Sequence, residues 1–441
     1  MAEVAIVGAG SMQFTQQVVS DLMRAPATRD VAFSLMDVDE ERLALSERLV
    51  HRIQGEVGGR GRVRASRELE TALTGVDFCL NEIQVGGMTA TQLDFDVPAA
   101  YGIRQTIGDT LGIGGISRAL RTIPVVVDIA RTLRRVAPDA WLLNYTNPMA
   151  MVMWAVAVEV PEVTAVGLCH SAEYTARALA GYLEVPFAEL DWMSAGINHL
   201  AWLLKLGHRG EDLYPRLREL ARDPAVFAQD PVRFELLRLF GRFVTESSEH
   251  NAEYVPYFLP HDDEVDRLHI PVGEYLRRSR NSLLKFDDLK GRVREPGSLM
   301  VPASPEYAPR IVAARITGDP LVFYGNVPNR GAIANLPPDA LVEVPCLVEA
   351  DAIWPTQIGT LPPGPAALNR QAIGVQELTV RAALRGDRDL LYQAAALDPL
   401  LATRLRLGEI VRLVDALLVA QRSWLPACWT NRDGGFDNPT P

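Results

Sequence analysis

The first part of the chain alternates short apolar runs with longer amphipathic segments. The apolar runs have the length of strands, and the segments between them repeat apolar residues at helical spacing. Strands are predicted near 3–7, 31–36, 76–83, 139–145 and 162–168, and helices at 12–24, 39–57, 117–136, 149–159 and 172–184. Because strands that alternate with helices form parallel sheets covered on both faces, this pattern predicts a doubly wound α/β domain of the Rossmann type over residues 1–190.

The pattern changes after about residue 188. The predicted segments are strands with a turn at 192–215, helix at 215–250, proline-rich loop and short strand at 335–365, helix at 366–421 and a frayed end at 431–441. Helices and strands that do not alternate regularly are typical of a mixed architecture. The sequence therefore predicts a second, α+β domain over residues 191–441.

Composition narrows the functional class. The chain has 441 residues, 48% of them hydrophobic, and a formal net charge of -11. An acidic balance argues against binding to nucleic acid or to an anionic membrane surface. The four cysteines are widely spaced, at Cys79, Cys169, Cys346 and Cys428. This spacing is typical neither of a disulfide framework nor of a zinc knuckle, and the first residues do not have the pattern of a signal peptide. We therefore expect a cytoplasmic protein.

The first predicted strand runs directly into a glycine pair in "VAIVGAGSMQFT". In a Rossmann turn, Gly8 would permit the tight turn, and Gly10 would let the backbone approach a pyrophosphate at the helix N-terminus. Ser11 is placed to donate to phosphate, and Asp37 ends the next strand, where a carboxylate accepts the ribose hydroxyls. These positions predict NAD as the cofactor, although Arg42 near Asp37 leaves NADP open.

Two further strands end in polar residues that would face the same crevice. The segment "LLNYTNPMA" places Asn147 after one strand, and "VGLCHSAEY" places Cys169 and His170 after the next. Ligands of open α/β sheets bind at the carboxyl ends of the strands. Each group also has a purely structural explanation, since Asn147 before Pro148 fits a helix-starting turn and a thiol beside an imidazole can belong to the core.

His199, in "AGINHLAW", offers a partner for the thiol of Cys169. One thiolate and one imidazole are too few ligands for a closed zinc site. They leave coordination positions open for substrate oxygens, which suits a divalent ion such as Mn²⁺ or Fe²⁺. The pair therefore predicts a catalytic metal rather than a structural one.

Three more segments combine charged residues with apolar surroundings. They are 107–124 with Asp109 and Arg118, 243–258 with Glu246, Glu249, His250, Glu253 and Tyr254, and "VEVPC" with Glu343. On a continuous helix, positions 246, 250, 253 and 254 would share one face, which is either solvated or part of a buried polar site. An acid between buried neighbours, such as Glu343, is either paired or functional.

Together these segments resemble glycoside hydrolase family 4, and within it the bacterial α-galactosidases. The resemblance covers nearly the whole chain. It rests on the blocks "GAGS", "QTIGDTLGIGGISRALRTIP", "LNYTNPMAM", "VGLCHS", "AGINH", "VTESSEHNAEY", "YGNV" and "LP…VEVPC…GTLP", in that order. The resemblance implies a fold like that of lactate and malate dehydrogenases with an added C-terminal domain.

The resemblance also implies a redox-assisted hydrolysis. In this family NAD⁺ takes a hydride from C3 of the sugar, a base removes the C2 proton, the C1 leaving group departs, water adds and the hydride returns. A divalent metal, here expected to be Mn²⁺, chelates the C2 and C3 oxygens as a Lewis acid. The roles implied are metal binding by Cys169 and His199, NAD binding by Gly8, Gly10, Ser11 and Asp37, substrate contact by Asn147 and Glu343, and catalysis by His170, Asp109, Tyr254 and Glu246. His170 is expected to protonate the leaving group, and the C2 base is open among Tyr254, Glu246 and His250.

One departure from the family pattern bears on the substrate. Phosphosugar-specific members carry an arginine after "QVGG", where this chain has Thr91. A dianionic phosphate favours an arginine clamp, so we expect a non-phosphorylated α-galactoside. An α-glucuronidase or α-galacturonidase with the same chemistry is the nearest alternative, because Arg118 or Arg121 would bind a C6 carboxylate.

Two interpretations from other classes have less support. A 2-hydroxyacid dehydrogenase shares the strand that ends in Asn-Pro, but it needs a catalytic His–Asp pair and has no Cys/His metal pair. An inactive NAD-binding sensor would not need Cys169, His199 and Asp109. Stoichiometric Mn²⁺ would exclude both. The expected partners are a small-molecule α-glycoside and, by resemblance, further copies of the chain in a dimer or tetramer.

Overall fold

The computed structural model describes residues 1–349 and 351–430, so the fraying predicted for 431–441 lies outside the described residues. Its strands are β1 Glu3–Val7, β2 Ala32–Met36, β3 Val63–Ser66, β4 Phe78–Asn81, β5 Trp141–Asn144, β6 Thr164–Leu168, β7 Leu190–Ile197, β8 Leu200–His208, β9 Glu211–Asp212, β10 Leu321–Pro328, β11 Leu341–Glu349 and β12 Ala352–Pro355. They form one sheet in the order β3-β2-β1-β4-β5-β6-β10-β11-β7-β8-β9, with β12 paired to β11.

Helices cover this sheet. They are α1 Met12–Arg24, α2 Glu40–Val57, α3 Leu69–Leu73, α4 Gly87–Ala99, α5 Gly112–Val136, α6 Met149–Glu159, α7 Ser171–Tyr182, α8 Tyr214–Leu220, α9 Pro224–Phe227, α10 Pro231–Phe240, α11 Ser248–Tyr254, α12 Asp262–Arg267, α13 Glu274–Arg292, α14 Tyr307–Thr317, α15 Pro363–Arg385, α16 Arg388–Leu397, α17 Pro399–Arg404, α18 Leu407–Ala420 and α19 Ala427–Thr430. A short 3₁₀ helix spans Phe187–Glu189. In the described part of the chain, none of the helices has the length and apolar character needed to cross a bilayer.

Strands β1 to β6 are parallel, as the alternating pattern predicted, although β3 was not among the five predicted strands. The central strand β1 is at most 1% exposed from Val4 to Val7. A strand covered by helices on both faces is buried throughout, which explains its unbroken apolar sequence. The Rossmann-type fold class with a C-terminal α+β part is therefore confirmed.

The segment 215–250, predicted as helical, is not one continuous helix. Four shorter helices, α8 to α11, occupy 214–254, with the chain redirected between them. Pro224 and Pro231 each stand at the start of a helix, and Gly241 ends α10 with a positive φ of 73°. Since proline starts helices and left-handed glycine ends them, these residues divide the segment. Glu246 lies outside α11 and does not share its face with Tyr254.

Paired residues on β6, β10, β11 and β7 form one row across the sheet, and this row joins the strands of the N-terminal and C-terminal halves. Gly167 on β6 is opposite Asn326 on β10, Asn326 is opposite Glu343 on β11, and Glu343 is opposite Gly196 on β7. A Cβ at Gly167 would lie 2.4 Å from the sulfur of Met149, so this position requires glycine. The row ends two residues before Cys169 and three before His199, and it thereby brings these two distant segments together.

Candidate active site

The glycine turn after β1 has the form of a dinucleotide cradle. Gly8 has a φ of 93°, and a Cβ there would lie 2.9 Å from the carbonyl oxygen of Glu82. A Cβ on Gly10 would lie 2.5 Å from the Asp37 carboxylate, whose Oδ2 accepts a hydrogen bond from the Gly10 amide at 2.7 Å. Ser11 is exposed at the N-terminus of α1. The four predicted NAD-site residues therefore lie together, and the close backbone approach fits a pyrophosphate.

Arg42 lies beside this turn. One of its guanidinium nitrogens donates to the Gly10 carbonyl at 3.2 Å, and the guanidinium covers the Phe286 ring at 4.2 Å. Asp37 keeps a carboxylate at the end of β2, where an acid selects ribose hydroxyls over a 2′-phosphate. The Asp37 carboxylate thus favours NAD, and the Arg42 guanidinium is a cation beside it.

The predicted metal pair comes together at the carboxyl end of the sheet. Cys169 follows β6, and His199 lies in the two-residue turn between β7 and β8, with 3.5 Å between Sγ and Nε2. The turn gives His199 a φ of 63°, and the amide of Asn251 donates to the His199 carbonyl at 2.8 Å. The left-handed conformation costs about 1–2 kcal/mol in a residue other than glycine, and this bond helps to hold it.

Glu246 completes a cluster of three donor groups. Its carboxylate lies with Cys169 Sγ and a ring nitrogen of His199 within 4.8 Å of one another. Burial raises the pKa of the Cys169 thiol well above its usual range, and burial lowers the pKa of His199 to about 4. A neutral imidazole is ready to coordinate, whereas a buried thiol loses its proton only when a cation compensates the charge. Sulfur, nitrogen and oxygen donors at this spacing fit a divalent ion.

His250 connects this cluster to Asp109. Its Nδ1 lies 2.9 Å from Glu246 Oε1, and its Nε2 lies 3.9 Å from Asp109 Oδ1. Although burial opposes both shifts, the attraction between the two groups raises the pKa of His250 and lowers that of Glu246. The pair is therefore an imidazolium and a carboxylate at neutral pH. Sequence analysis named His250 only as one alternative for the base.

Asp109 and Asn147 face the same space. The Asn147 amide donates to Asp109 Oδ2 at 2.9 Å. Asp109 Oδ1 is buried and has no hydrogen-bond partner among the described residues. A buried carboxylate oxygen that faces the His250 imidazolium at 3.9 Å but accepts no hydrogen bond is suited to receive a hydroxyl from a ligand. Both predicted residues are thus placed beside the metal cluster.

Glu343 occupies the middle of the cross-strand row. It is fully buried, and Asn198 and Asn326 each donate to its Oε2 at 3.2 Å. Burial raises the pKa of Glu343 to about 7. Because Asn198 precedes His199 in the turn, its hydrogen bond to Glu343 helps to hold the turn that carries His199. The block "YGNV" was the sequence signal for Asn326, but no spacing indicated the pairing.

His170 stands at the mouth of the site, with its side chain 44% exposed. Its Nδ1 lies 3.4 Å from Glu306 Oε1, and its ring meets the edge of Tyr174 at 4.6 Å. Glu306 raises the pKa of His170 against the opposing effect of burial. Glu306 precedes α14 and was not predicted, because no local pattern links it to the segment around His170.

Tyr254 is placed behind the cluster. It is 2% exposed, its hydroxyl donates to Thr110 at 3.0 Å, and its ring centre lies 6.3 Å from that of His199. Burial raises its pKa well above the usual range. The structure thus brings Tyr254 to the metal cluster but ties its hydroxyl to a neighbour.

The residues considered for anion recognition differ in their surroundings. Arg121 and Asp94 form a fully buried two-point ion pair, at 3.0 and 2.5 Å. Arg118 is 5% exposed and donates to the hydroxyl of Tyr275 at 3.1 Å. The Thr91 hydroxyl is buried and bonded to Gln84 and the Gly87 carbonyl. Asp94 therefore neutralises Arg121, and position 91 supplies no cation.

The chain was compared with known proteins. Residues 3–185 match the family 4 glycosyl hydrolases, and residues 194–401 match the family 4 glycosyl hydrolase C-terminal domain. An α-galactosidase of Bacillus subtilis is 39% identical over 97% of this chain and 99% of its own length. An α-galacturonidase of the same organism is 30% identical over 90% of this chain and 93% of its own.

Solved structures agree on the fold. A 6-phospho-α-glucosidase from gut microorganisms, crystallised with NAD and Mn²⁺, superposes with a TM-score of 0.82 over 96% of this chain and 99% of its own, at 22% identity. Family models match both halves of the chain, and a relative is 39% identical, so the family can be assigned. The chain belongs to family 4 of the glycosyl hydrolases.

Proposed function

We propose that this enzyme hydrolyses non-phosphorylated α-galactosides and needs both NAD and Mn²⁺ or another divalent metal. The observation that carries the proposal is that one sheet carries both a glycine cradle for a dinucleotide, after β1, and a Cys169–His199 pair for a metal, with Cys169 following β6. When bound, NAD would accept and return a hydride, and the metal would polarise sugar oxygens. A plain hydrolase would need neither site.

The residues around these two sites divide the remaining tasks. Gly8, Gly10 and Ser11 would hold the pyrophosphate, and Asp37 would accept the ribose hydroxyls. Cys169 and His199 would hold the metal. These assignments are supported by the close approach at Gly10, where a Cβ would collide with Asp37, and by the 3.5 Å between the thiol and the imidazole.

For the C2 proton, we infer that Glu246 is the acceptor. The lowered pKa of Glu246 keeps it ionised at neutral pH, and its side chain is 17% exposed. Tyr254, by contrast, is 2% exposed, and its hydroxyl donates a hydrogen bond to Thr110. His250 is held as an imidazolium and has no free lone pair to accept a proton. Of the three alternatives, only Glu246 combines charge with access.

The other site residues would bind and orient the sugar. Asn147 and Asp109 would present an amide and a carboxylate towards its hydroxyls, and the Oδ1 of Asp109, which accepts no hydrogen bond among the described residues, supports this role. His170, protonated with the help of Glu306, would give a proton to the departing alcohol. Glu343 would hold Asn198 and, through it, the turn that carries His199.

An α-galacturonidase remains a second candidate because of Arg118. This arginine is buried and its hydrogen-bond partner is a neutral phenol, so a substrate carboxylate could pair with it. The galactoside is favoured because Asp94 already neutralises Arg121, and because the α-galactosidase relative is the more similar of the two.

We further propose a cytoplasmic enzyme made of an NAD-binding domain, residues 1–190, and a C-terminal domain, residues 191–441. A free thiolate is susceptible to oxidation, and reducing surroundings would preserve Cys169 as a ligand, which supports the location. One sheet runs through both parts, so the active site lies where they join. Assembly into a dimer or tetramer rests on the resemblance to the family.

The test is a substrate panel with reduced protein. Methyl α-galactoside, α-glucoside and α-galacturonide are assayed with and without NAD⁺ and with and without Mn²⁺. We expect the galactoside to be cleaved, and only when both cofactors are present. Turnover of the uronide alone would retain the chemistry but refute the substrate. Cleavage without NAD⁺, or accumulation of NADH without cleavage, would refute the proposed function.

A further inference from the structure

The loop between α4 and α5, residues 100–111, carries two groups of the proposed active site, and we call it the Asp109 loop. Asp109 accepts a hydrogen bond from the Asn147 amide at 2.9 Å. The Thr110 hydroxyl lies 3.5 Å from Nδ1 of the proposed metal ligand His199. The loop contains only turns and bends, so contacts with neighbouring elements must determine where these two side chains stand.

Glu253 on α11 binds the backbone amides of this loop. Its Oε1 accepts from the amides of Thr106, Ile107 and Gly108 at 2.6, 3.0 and 3.0 Å, and its Oε2 accepts from the Gly108 amide at 2.9 Å. Successive amides that converge on one point form an anion-binding nest. The anion in this nest is a side chain of the protein itself, and it is 3% exposed.

The contacts of Glu253 are those of a carboxylate rather than a carboxylic acid. In the described part of the chain, each hydrogen bond to its carboxyl group comes from an amide donor, so a carboxyl proton would have no acceptor. Burial raises the pKa of Glu253, and the Gly108 amide and the His250 imidazolium act against that rise. Because hydrogen bonds to a charged acceptor are roughly twice as strong as neutral ones, the charge fastens the loop to α11.

The other backbone supports of the loop act on its carbonyl groups. At the start of α13, the Gly273 amide donates to the Gln105 carbonyl at 2.8 Å, and the Tyr275 amide donates to the Thr106 carbonyl at 2.9 Å. The amides of residues 106–108 have no acceptor other than Glu253 among the described residues. The part of the loop directly before Asp109 therefore depends on Glu253.

Helix α11 also connects the loop to the proposed base. It carries His250, whose Nε2 lies 3.9 Å from Asp109 Oδ1 and whose Nδ1 lies 2.9 Å from Glu246 Oε1. Attachment of the loop to α11 at Glu253 thus fixes the carboxylate that would bind a sugar hydroxyl relative to the carboxylate that would take the C2 proton. Both carboxylates must reach the same sugar ring for the reaction to proceed.

We propose that Glu253 is a positioning residue for the hydrolysis, because the nest it fills sets the place of Asp109 relative to Glu246. The proposal rests on the α-galactosidase activity inferred above and adds to it a residue that acts without contacting the sugar. A misplacement of about 1 Å can lower a rate by about 10²-fold, so turnover should respond more strongly than substrate binding.

The test uses Glu253→Gln, which keeps the size of the side chain but removes its charge. With methyl α-galactoside, NAD⁺ and Mn²⁺, we expect kcat to fall about tenfold or more while KM changes less than about threefold. Metal content and NAD⁺ affinity should not change. Glu253→Asp keeps the charge on a side chain that is one methylene shorter, and it should also lose about tenfold in kcat.

Glu56→Gln is the matched control for these variants. The Glu56 carboxylate also accepts from successive backbone amides, those of Leu299 and Met300, at 2.7 and 3.4 Å. These contacts join α2 to the segment before α14 and do not involve the Asp109 loop. Loss of charge at Glu56 should therefore change kcat less than about twofold.

A double-mutant cycle separates positioning from a general loss of stability. If Glu253 acts through Asp109, Glu253→Gln should lower kcat/KM less than about twofold once Asp109→Asn is present. Losses that multiply, or an unchanged kcat in both Glu253 variants, would overturn the positioning role while the galactosidase stands. A wild type that cleaves no methyl α-galactoside with both cofactors would overturn the galactosidase and, with it, the role of Glu253.

Discussion

The dinucleotide turn and the metal cluster both follow strands of one sheet but are built in different ways. The turn is formed by Gly8 and Gly10 after β1 and Asp37 after the neighbouring parallel strand β2, and it depends on where the backbone can approach. The cluster takes Cys169, His199 and Glu246 from separate connections and depends on buried ionisable side chains.

This difference determines what damages each region. In the turn, one added methyl group is enough, because the space is already occupied by Asp37. In the cluster, shape can be preserved and function still lost, because the pKa of each group depends on the charge of its neighbours. Substitutions that keep the side-chain size should therefore damage the cluster, whereas one added methyl group should damage the turn.

The largest effect is expected for Cys169→Ser. Removing the thiolate leaves His199 as the one assigned ligand, and loss of the Lewis acid should lower kcat/KM by about 10³-fold or more. Elemental analysis of the purified variant should show metal well below one equivalent, with NAD affinity unchanged. Cys428→Ser, at an exposed thiol, is the control and should keep full metal and activity. A Cys169→Ser enzyme with stoichiometric metal would contradict the assigned ligand.

Glu246→Gln tests whether the Glu246 carboxylate acts as a base or as a metal ligand. If Glu246 accepts the C2 proton, the variant should lose about 10²-fold or more in kcat and retain its metal. Metal loss instead would make the carboxylate a third ligand and refute its role as base. Glu249→Gln, two residues into α11, is the neighbouring control and should change kcat less than about twofold.

Gly10→Ala tests the turn. The new Cβ would lie 2.5 Å from the Asp37 carboxylate, so the backbone must shift and the affinity for NAD⁺ should fall about tenfold or more. Metal content should not change. Gly55→Ala, inside α2 with no atom within 4 Å of the added Cβ, is the matched control. Unchanged NAD⁺ affinity in Gly10→Ala, measured by fluorescence titration, would exclude this turn as the cofactor site.

The smallest effect is expected for a buried acid outside both regions. Asp398 caps α17 and accepts from the Leu401 amide at 3.0 Å, and burial raises its pKa to about 7. Between pH of about 4 and 7 the unfolded chain ionises this group and the folded chain does not, so its contribution to stability falls as pH rises and stays low above 7.

Asp398→Asn keeps the cap and cannot ionise. Its Tm relative to the wild type should therefore be about 2 °C or more higher at pH 8 than at pH 4.5. Asp387→Asn is the control, since Asp387 also caps a helix, α16, but is less buried. A difference that does not depend on pH would show that burial alone does not raise the pKa of Asp398.

Sequence alone predicted the dinucleotide turn better than the cluster. Alternating strands and helices, with glycines after β1 and an acid after β2, are local signals that survive without knowledge of the fold. The metal pair was predicted from its residue types and again by resemblance to a family, but its geometry depends on the row Gly167–Asn326–Glu343–Gly196, which joins antiparallel strands far apart in the chain.

Contacts between segments that lie far apart in the chain leave no periodic pattern in the sequence. Glu306 reaches His170 from the start of α14, and Glu246 lies in a loop with a φ of 78°, although helical spacing placed it on a helix. Residues 335–365 were predicted as proline-rich loop and short strand, and the structure has the nine-residue strand β11 there, with Pro345 inside it. Long-range pairing overrides such local signals, so the composition of this site could be predicted but its shape could not.

The most direct test of the central claim follows hydrogen at C2 of the sugar. Methyl α-galactoside is hydrolysed in D₂O with NAD⁺ and Mn²⁺, and the galactose formed is examined by NMR. The redox-assisted route predicts one deuterium at C2 of each product molecule and no net NADH. Product that keeps its original hydrogen at C2 would contradict the account, because direct displacement at C1 would then explain hydrolysis without either cofactor.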